Sequence, residues 1–364
     1  MRIFIQLWVV TLTVFSTQVL AEGRISPLFA SHDVMSLRLT APFAQMVKKR
    51  TKEEEYDSAR LTYFDEQGDT VTLPVTISLR GNSRLEYRTC TFPPLKLQFD
   101  KKDRQGTYFE HTKKIKLVTQ CRPSLNSSRD DLLSEYQAYR MLNTLTEQSY
   151  RVRLLEVTYV DQEKGKSKQS FAFLIEPSKH LARRVGMKKL KVASIAASQL
   201  LGQEMNLVSL YQFLVGNTDW AATQGGLEEC CHNGKLFSSA PEAAAVYVPY
   251  DLDMTGYVEP SYAIPSEKVN LSSVRNRRYR GYCQNNDYLA ENVSGFNEHR
   301  DEIVQLVSAD IGLSRRQLKN NLKYINSFYE LINDEGRLTK HVERFCRGRD
   351  MNQPELVARL FEMK

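Results

Sequence analysis

The sequence predicts an α+β fold of two lobes, a β-rich first half and a helical second half, with a cleft between them. Three observations carry this. Residues 34–40 (VMSLRLT) and 71–79 (VTLPVTISL) alternate apolar and polar side chains, the period of half-buried strands. Leu207, Leu210, Tyr211 and Leu214 recur instead at helical spacing, and Gly216 follows as a stop. The chain has 364 residues, 41% hydrophobic and 26% charged, enough for one large or two modest domains. That composition excludes collagen, a coiled coil, global disorder and a polytopic membrane protein.

The N-terminus reads as a secretory signal peptide of residues 1–21. Arg2 precedes an uncharged run from Ile3 to Leu20, Val19 and Ala21 offer small cleavage-site side chains, and Glu22 would start the mature chain. An uncleaved anchor is the rival reading, because the run is just long enough to span a membrane. Thr11, Thr13, Ser16 and Gln18 dilute it. No later segment is apolar enough to cross, so no integral membrane domain is expected after cleavage.

Residues 22–177 read as the β-rich lobe. Besides the two strands above, residues 60–64, 95–99, 114–119, 151–161 and 169–176 have strand character, and residues 130–145 form its helix. The charge run Lys48–Asp57 is a solvated loop or short helix. Residues 178–364 read as the helical lobe. Leu318, Leu322, Ile325, Tyr329 and Ile332 mark a long amphipathic helix, and Pro354–Met363 suggests a last one.

An exported chain with six cysteines favours disulfides over a metal site. Cys90 and Cys121 flank a strand pair and are expected to bond. Cys230 and Cys231 are expected to pair with Cys283 and Cys346 in some order. The dense Cys230-Cys231-His232 cluster lacks the CxxC spacing of a zinc site. The net charge of +7 suits anionic partners without naming one, and nothing in the sequence points to nucleic acid.

The signatures of P-loop, dinucleotide-binding, zinc-protease, serine-hydrolase and EF-hand proteins are missing. What remains is a set of carboxylates and amides in tight turns. Asn217-Thr218-Asp219 follows the helix ended by Gly216, Asn233 comes 14 positions after Asp219, and Asp251-Leu252-Asp253 follows the apolar run 243–248. Acceptor oxygens on loops at a strand end suit a hard cation such as Mg²⁺, although single Asp residues also serve as ordinary turn formers. Arg80-Gly81-Asn82-Ser83-Arg84 lies between strands and offers backbone N–H groups and arginines to a phosphate. Glu135 falls on the apolar stripe of its helix with Leu132, Tyr136, Tyr139 and Leu142. A carboxylate there needs a buried partner, with Lys96 and Lys116, each inside an apolar strand pattern, as the candidates; the alternative is that Glu135 sits at the edge of the stripe and reaches water.

Taken in order, these residues resemble the spore-coat CotH kinase family. The segment Leu79-Arg80-Gly81-Asn82-Ser83 followed by Lys96 is similar to that family's RGNS…K segment. Glu135, Glu176, Asn217-Thr218-Asp219, Asn233 and Asp251-Leu252-Asp253 follow as its helix glutamate, strand-end glutamate, N-x-D, Asn and D-F-D elements. Gly216-Asn217-Thr218-Asp219 and Pro249-Tyr250-Asp251 also resemble the more distant HipA-type kinases. The resemblance covers roughly residues 75–256. It departs from the family in the long spacing to Asn233, where Gln224 sits at the usual distance, and in Leu252 for the aromatic.

The resemblance implies a two-lobed, protein-kinase-like fold and ATP- and Mg²⁺-dependent phosphoryl transfer to a protein hydroxyl, with Mn²⁺ as a substitute ion. Asp219 would be the catalytic base. Arg80, Asn82 and either Lys96 or Lys116 would hold the nucleotide phosphates, with Glu135 pairing the lysine and Glu176 beside the adenine. Asn233 and Asp251 would hold the metal, with Asp253 as a further ligand. An exported compartment, secreted or periplasmic, holds little ATP. The alternative is therefore a catalytically inactive module that serves as a binding or scaffold protein in an envelope or coat assembly. A plain secreted binding domain with structural Asp loops is the third reading.

Overall fold

The computed structural model describes residues 25–225 and 229–348. The expected signal peptide 1–21 and final helix 354–363 lie outside the described residues.

Seven strands form a closed barrel. A short helix α1 (Pro27–Ala30) leads into β1 (Met35–Ala41), and α2 (Phe43–Lys49) separates it from β2 (Tyr56–Phe64). Then come β3 (Thr70–Leu79), β4 (Leu95–Gln98), β5 (Lys114–Thr119), the helix α3 (Asn126–Leu145), and the hairpin β6 (Val152–Asp161) and β7 (Ser167–Ile175). The order around the barrel is β1-β2-β3-β4-β5-β7-β6. Inward side chains such as Leu39, Leu61, Leu97, Leu117, Leu155 and Leu174 fill it. β1 buries every second residue, as its alternation requires.

This closure corrects the expected two-lobed kinase-like fold, which a closed barrel does not fit; the α+β class itself holds. The cause is β1. It pairs antiparallel with β2, Leu37 opposite Tyr63, and parallel with β6, Leu37 opposite Val157. One strand therefore joins two edges that would otherwise stay open. Alternation identifies a strand but does not say which edges it joins.

The C-terminal part contains α4 (Ser178–Arg184), a small sheet of β8 (Lys188–Lys189), β9 (Gly234–Ser238) and β10 (Val246–Pro249), and the helix α5 (Gly202–Val215). The helices α6 (Leu289–Glu298), α7 (Arg300–Ser308), α8 (Arg315–Ile332) and α9 (Glu335–Leu338) follow. Gly216 ends α5 at φ 66°, and a Cβ there would meet the Tyr324 hydroxyl at 2.1 Å. Only glycine fits both demands. The main core spans α3, α5, α8 and the side of the barrel beneath α3 and includes Leu252, while Trp220 packs in a smaller cluster with Cys230, Cys231 and Tyr247.

Cys90 and Cys121 form the expected disulfide. The other expectation is corrected: Cys230 bonds its neighbour Cys231, and Cys283 bonds Cys346. All six thiols are thereby used, leaving none as a metal ligand. Three disulfides are compatible with a secreted protein. Among the described residues no helix is long and apolar enough to cross a membrane.

Candidate functional site

Glu135 sits mid-helix on α3 and is 3% exposed. It is an internal ion-pair member, but neither lysine is its partner. Arg84, from the turn after β3, places Nη2 2.9 Å from Glu135 Oε2 and 2.8 Å from Asp253 Oδ2. Its Nε also donates to Asp253 Oδ2 at 3.0 Å, and the Tyr262 hydroxyl donates to the same oxygen. Arg84 stood at the end of the turn read as phosphate-binding; nothing in the strand pattern showed that it reaches inward.

Asp251 joins this group. One carboxylate oxygen from each of Glu135, Asp251 and Asp253 lies within 4.8 Å of the others. That spacing and oxygen-only chemistry fit a hard divalent cation. Burial pushes the Glu135 and Asp251 carboxyls up, Asp253 adds to this, and Arg84 opposes it. Asp251 adopts φ 63°, and its N–H donates to the Tyr139 hydroxyl at 2.7 Å. The left-handed backbone, tolerated by Asp, fixes the carboxylate's direction.

Asp219 stands in a separate turn. Its N–H donates to the Asn217 side chain at 2.8 Å, closing an Asx-turn directly after α5. Asn233 donates Nδ2 to Asp219 Oδ2 at 3.0 Å, and His232 Nε2 lies 2.7 Å from Asp219 Oδ1. Asn233 is thus engaged with Asp219, while the carboxylate trio comprises Glu135, Asp251 and Asp253. The two groups are linked through backbone, since Tyr250 N–H donates to the Asn233 carbonyl at 3.1 Å. Asp219 keeps about a third of its side chain exposed. By sequence His232 belongs to the Cys230-Cys231-His232 cluster; its contact with Asp219 forms only in the folded loop.

Lys116 and Lys96 are directly opposite each other on β5 and β4, on one face of the ladder. They line a cavity of about 210 Å³ with Lys235, Tyr250 and the Glu176–Pro177 segment. Lys116 Nζ lies 4.5 Å from the Tyr250 ring centre. Burial, then Arg80, pulls its pKa down to about 8. Lys96 reaches Glu55 at 3.6 Å on the more open side. Glu176 borders the cavity, but its carboxylate is buried against Arg184 at 2.9 Å and accepts from Arg151 N–H. Asn82 is exposed and accepts from Lys52. Gly81, at φ 101°, supplies the backbone freedom that this turn needs.

No family model matches the chain, and a search of curated proteins finds no match.

Proposed function

We propose that this protein transfers a phosphoryl group from a nucleotide to a hydroxyl of a protein substrate, with a divalent cation, outside the cytoplasm. The reading rests on the site rather than on the fold. The observation that carries it is the Glu135–Asp251–Asp253 trio, with its oxygens within 4.8 Å of one another. Two flanking features support it: the lysine-lined cavity over Tyr250, and the partly exposed Asp219 held by His232 and Asn233.

Roles follow from charge. Lys116, Lys235 and Arg80 supply positive charge for phosphate oxygens, and the apolar side of the cavity takes the base. The three carboxylates would hold Mg²⁺ or Mn²⁺, which when bound neutralises charge on the phosphates. Asp219 accepts the proton of the attacking hydroxyl, and Asn233 and His232 fix the carboxylate's orientation.

One observation favours the inactive binding-module reading. Arg84 already bridges Glu135 and Asp253, so a guanidinium occupies the place a cation would take. Asp251→Ala should abolish Mg²⁺-dependent nucleotide binding in a thermal-shift assay. Asp219→Ala should leave binding nearly intact and stop transfer, because orienting the hydroxyl acts in the chemical step. If the parent shows no ATP- or GTP-induced shift with Mg²⁺ or Mn²⁺, the transfer reading falls.

A further inference from the structure

Two arginines beside the Asp219 turn have no role in the site described so far. Arg280 is 8% exposed and donates Nη1 to the Thr218 carbonyl, immediately before Asp219. Its guanidinium carbon lies 5.8 Å from the Trp220 ring centre, and that of Arg347 lies 5.3 Å from the same ring. Arg347 also lies 5.7 Å from the Tyr282 ring. Its backbone is tied down on both sides. Arg347 N–H donates to Gly281, the Arg347 carbonyl accepts from Cys283 N–H, and the Cys283–Cys346 disulfide closes the segment.

Neither guanidinium has an ion-pair partner among the described residues, and Arg347 Nη2 is buried with no hydrogen bond. Two like charges held over one tryptophan, one of them with an unsatisfied buried nitrogen, make a costly arrangement without an anion. Asp219 attracts Arg280 across the turn, but its oxygens bond His232 and Asn233 and it forms no ion pair with either arginine. Burial and the neighbouring Arg347 pull the Arg280 pKa down to about 10, so Arg280 stays cationic at neutral pH.

We propose that Arg280 and Arg347 form an anion subsite that receives an acidic side chain of the substrate peptide, next to the hydroxyl presented to Asp219. The proposal deepens the transfer reading and rests on it for the word substrate. The chemistry favours a carboxylate. A planar guanidinium pairs with it through two parallel N–H donors, and the Trp220 ring holds both guanidinium groups within about 6 Å of its centre. The nucleotide phosphates have their own cations, Lys116, Lys235 and Arg80, grouped around Tyr250.

The test uses the intact, disulfide-bonded protein and two fluorescent peptides. Each has a central serine; one is flanked by Asp and Glu, the other by Asn and Gln. The acidic peptide should bind about tenfold tighter or more, from charge-assisted pairing. That preference should shrink with added salt and be lost in both Arg347→Gln and Arg280→Gln. If Arg280→Gln fails to fold because Thr218 loses its donor, Arg347→Gln decides alone, since the Arg347 side chain donates no hydrogen bond among the described residues. Equal affinity for the two peptides, or a preference that survives Arg347→Gln, overturns the subsite. A parallel nucleotide thermal shift separates the two ideas. Peptide preference without nucleotide binding keeps the subsite and sinks phosphoryl transfer; nucleotide binding without preference does the reverse.

Discussion

Arg84 and Glu135, 51 positions apart in the chain, meet at 2.9 Å with the Glu135 side chain only 4% exposed. The same guanidinium reaches Asp253 at 2.8 Å, so one turn after β3 neutralises carboxylates from α3 and from the segment after β10. The contact ties the barrel to the C-terminal part at the point where a cation is proposed.

Arg84→Gln should therefore be costly. It leaves two buried carboxylates without their cation, and breaking such a pair typically costs about 3–5 kcal/mol. Urea denaturation at pH 7 measures this. Millimolar Mg²⁺ or Mn²⁺ should recover part of the loss, since the trio then has a replacement charge. Recovery by an equal ionic strength of NaCl would show general screening and count against a cation site.

The disulfides should differ sharply in what they contribute. In the chain-entropy model, the 31-residue separation of Cys90 and Cys121 gives roughly 3–4 kcal/mol, and the 63-residue separation of Cys283 and Cys346 gives roughly 4. Cys230 and Cys231 are adjacent and enclose no chain. Replacing each pair by alanine and comparing denaturation midpoints should reproduce this order, with the adjacent pair costing under about 1 kcal/mol. A loss at Cys230–Cys231 as large as at Cys90–Cys121 would refute the loop argument.

Asp131 should lower stability at neutral pH. Burial, then Asp130, raises its pKa from 3.8 to about 7. The folded state thus binds more protons than the unfolded one between these values. Stability from this group is complete below about pH 3.8 and is lost as pH rises through 7. Asp131→Asn mimics the protonated form, so it should raise Tm at pH 8 and leave it unchanged at pH 4. A lower Tm at pH 8 would mean that the charged form makes a favourable contact.

Strand and helix positions were largely legible, because period 2 and period 3.6 are local signals. Alternation at 34–40 marked β1, and the Gly216 stop ended α5 as expected. Barrel closure was not legible, since it depends on β1 meeting β6 across more than a hundred residues. The same limit governs the site. The apolar stripe placed Glu135 inside, but the strand patterns offered Lys96 and Lys116 as its partner and not Arg84. Arg84 won because the turn after β3 aims it at α3, whereas Lys116 is held over Tyr250. The Arg280–Arg347 pair left no sequence signal, since a tryptophan brings together groups more than sixty positions apart.

Lys116 gives the nucleotide reading a pH signature. Its ammonium is desolvated in the cavity, with Arg80, Lys235 and Lys189 repelling it and Asp251 attracting it, and its pKa falls from 10.5 to about 8. Because the folded pKa is depressed, the ammonium is complete well below pH 8 and is lost as pH rises through 8. An unperturbed lysine would keep its charge to about pH 10. Nucleotide affinity measured with Mg²⁺ should therefore weaken between pH 7 and pH 9, a range in which the nucleotide phosphates are already ionised. Stability moves the opposite way, rising with pH from about 8 to 10.5, since the unfolded state binds more protons there. Lys116→Arg keeps a charge throughout and should flatten the affinity profile. Lys116→Met should bind weakly at both pH values. If the parent binds nucleotide equally at pH 7 and 9, Lys116 does not contact the phosphates, and Lys235 or Arg80 carries that charge instead.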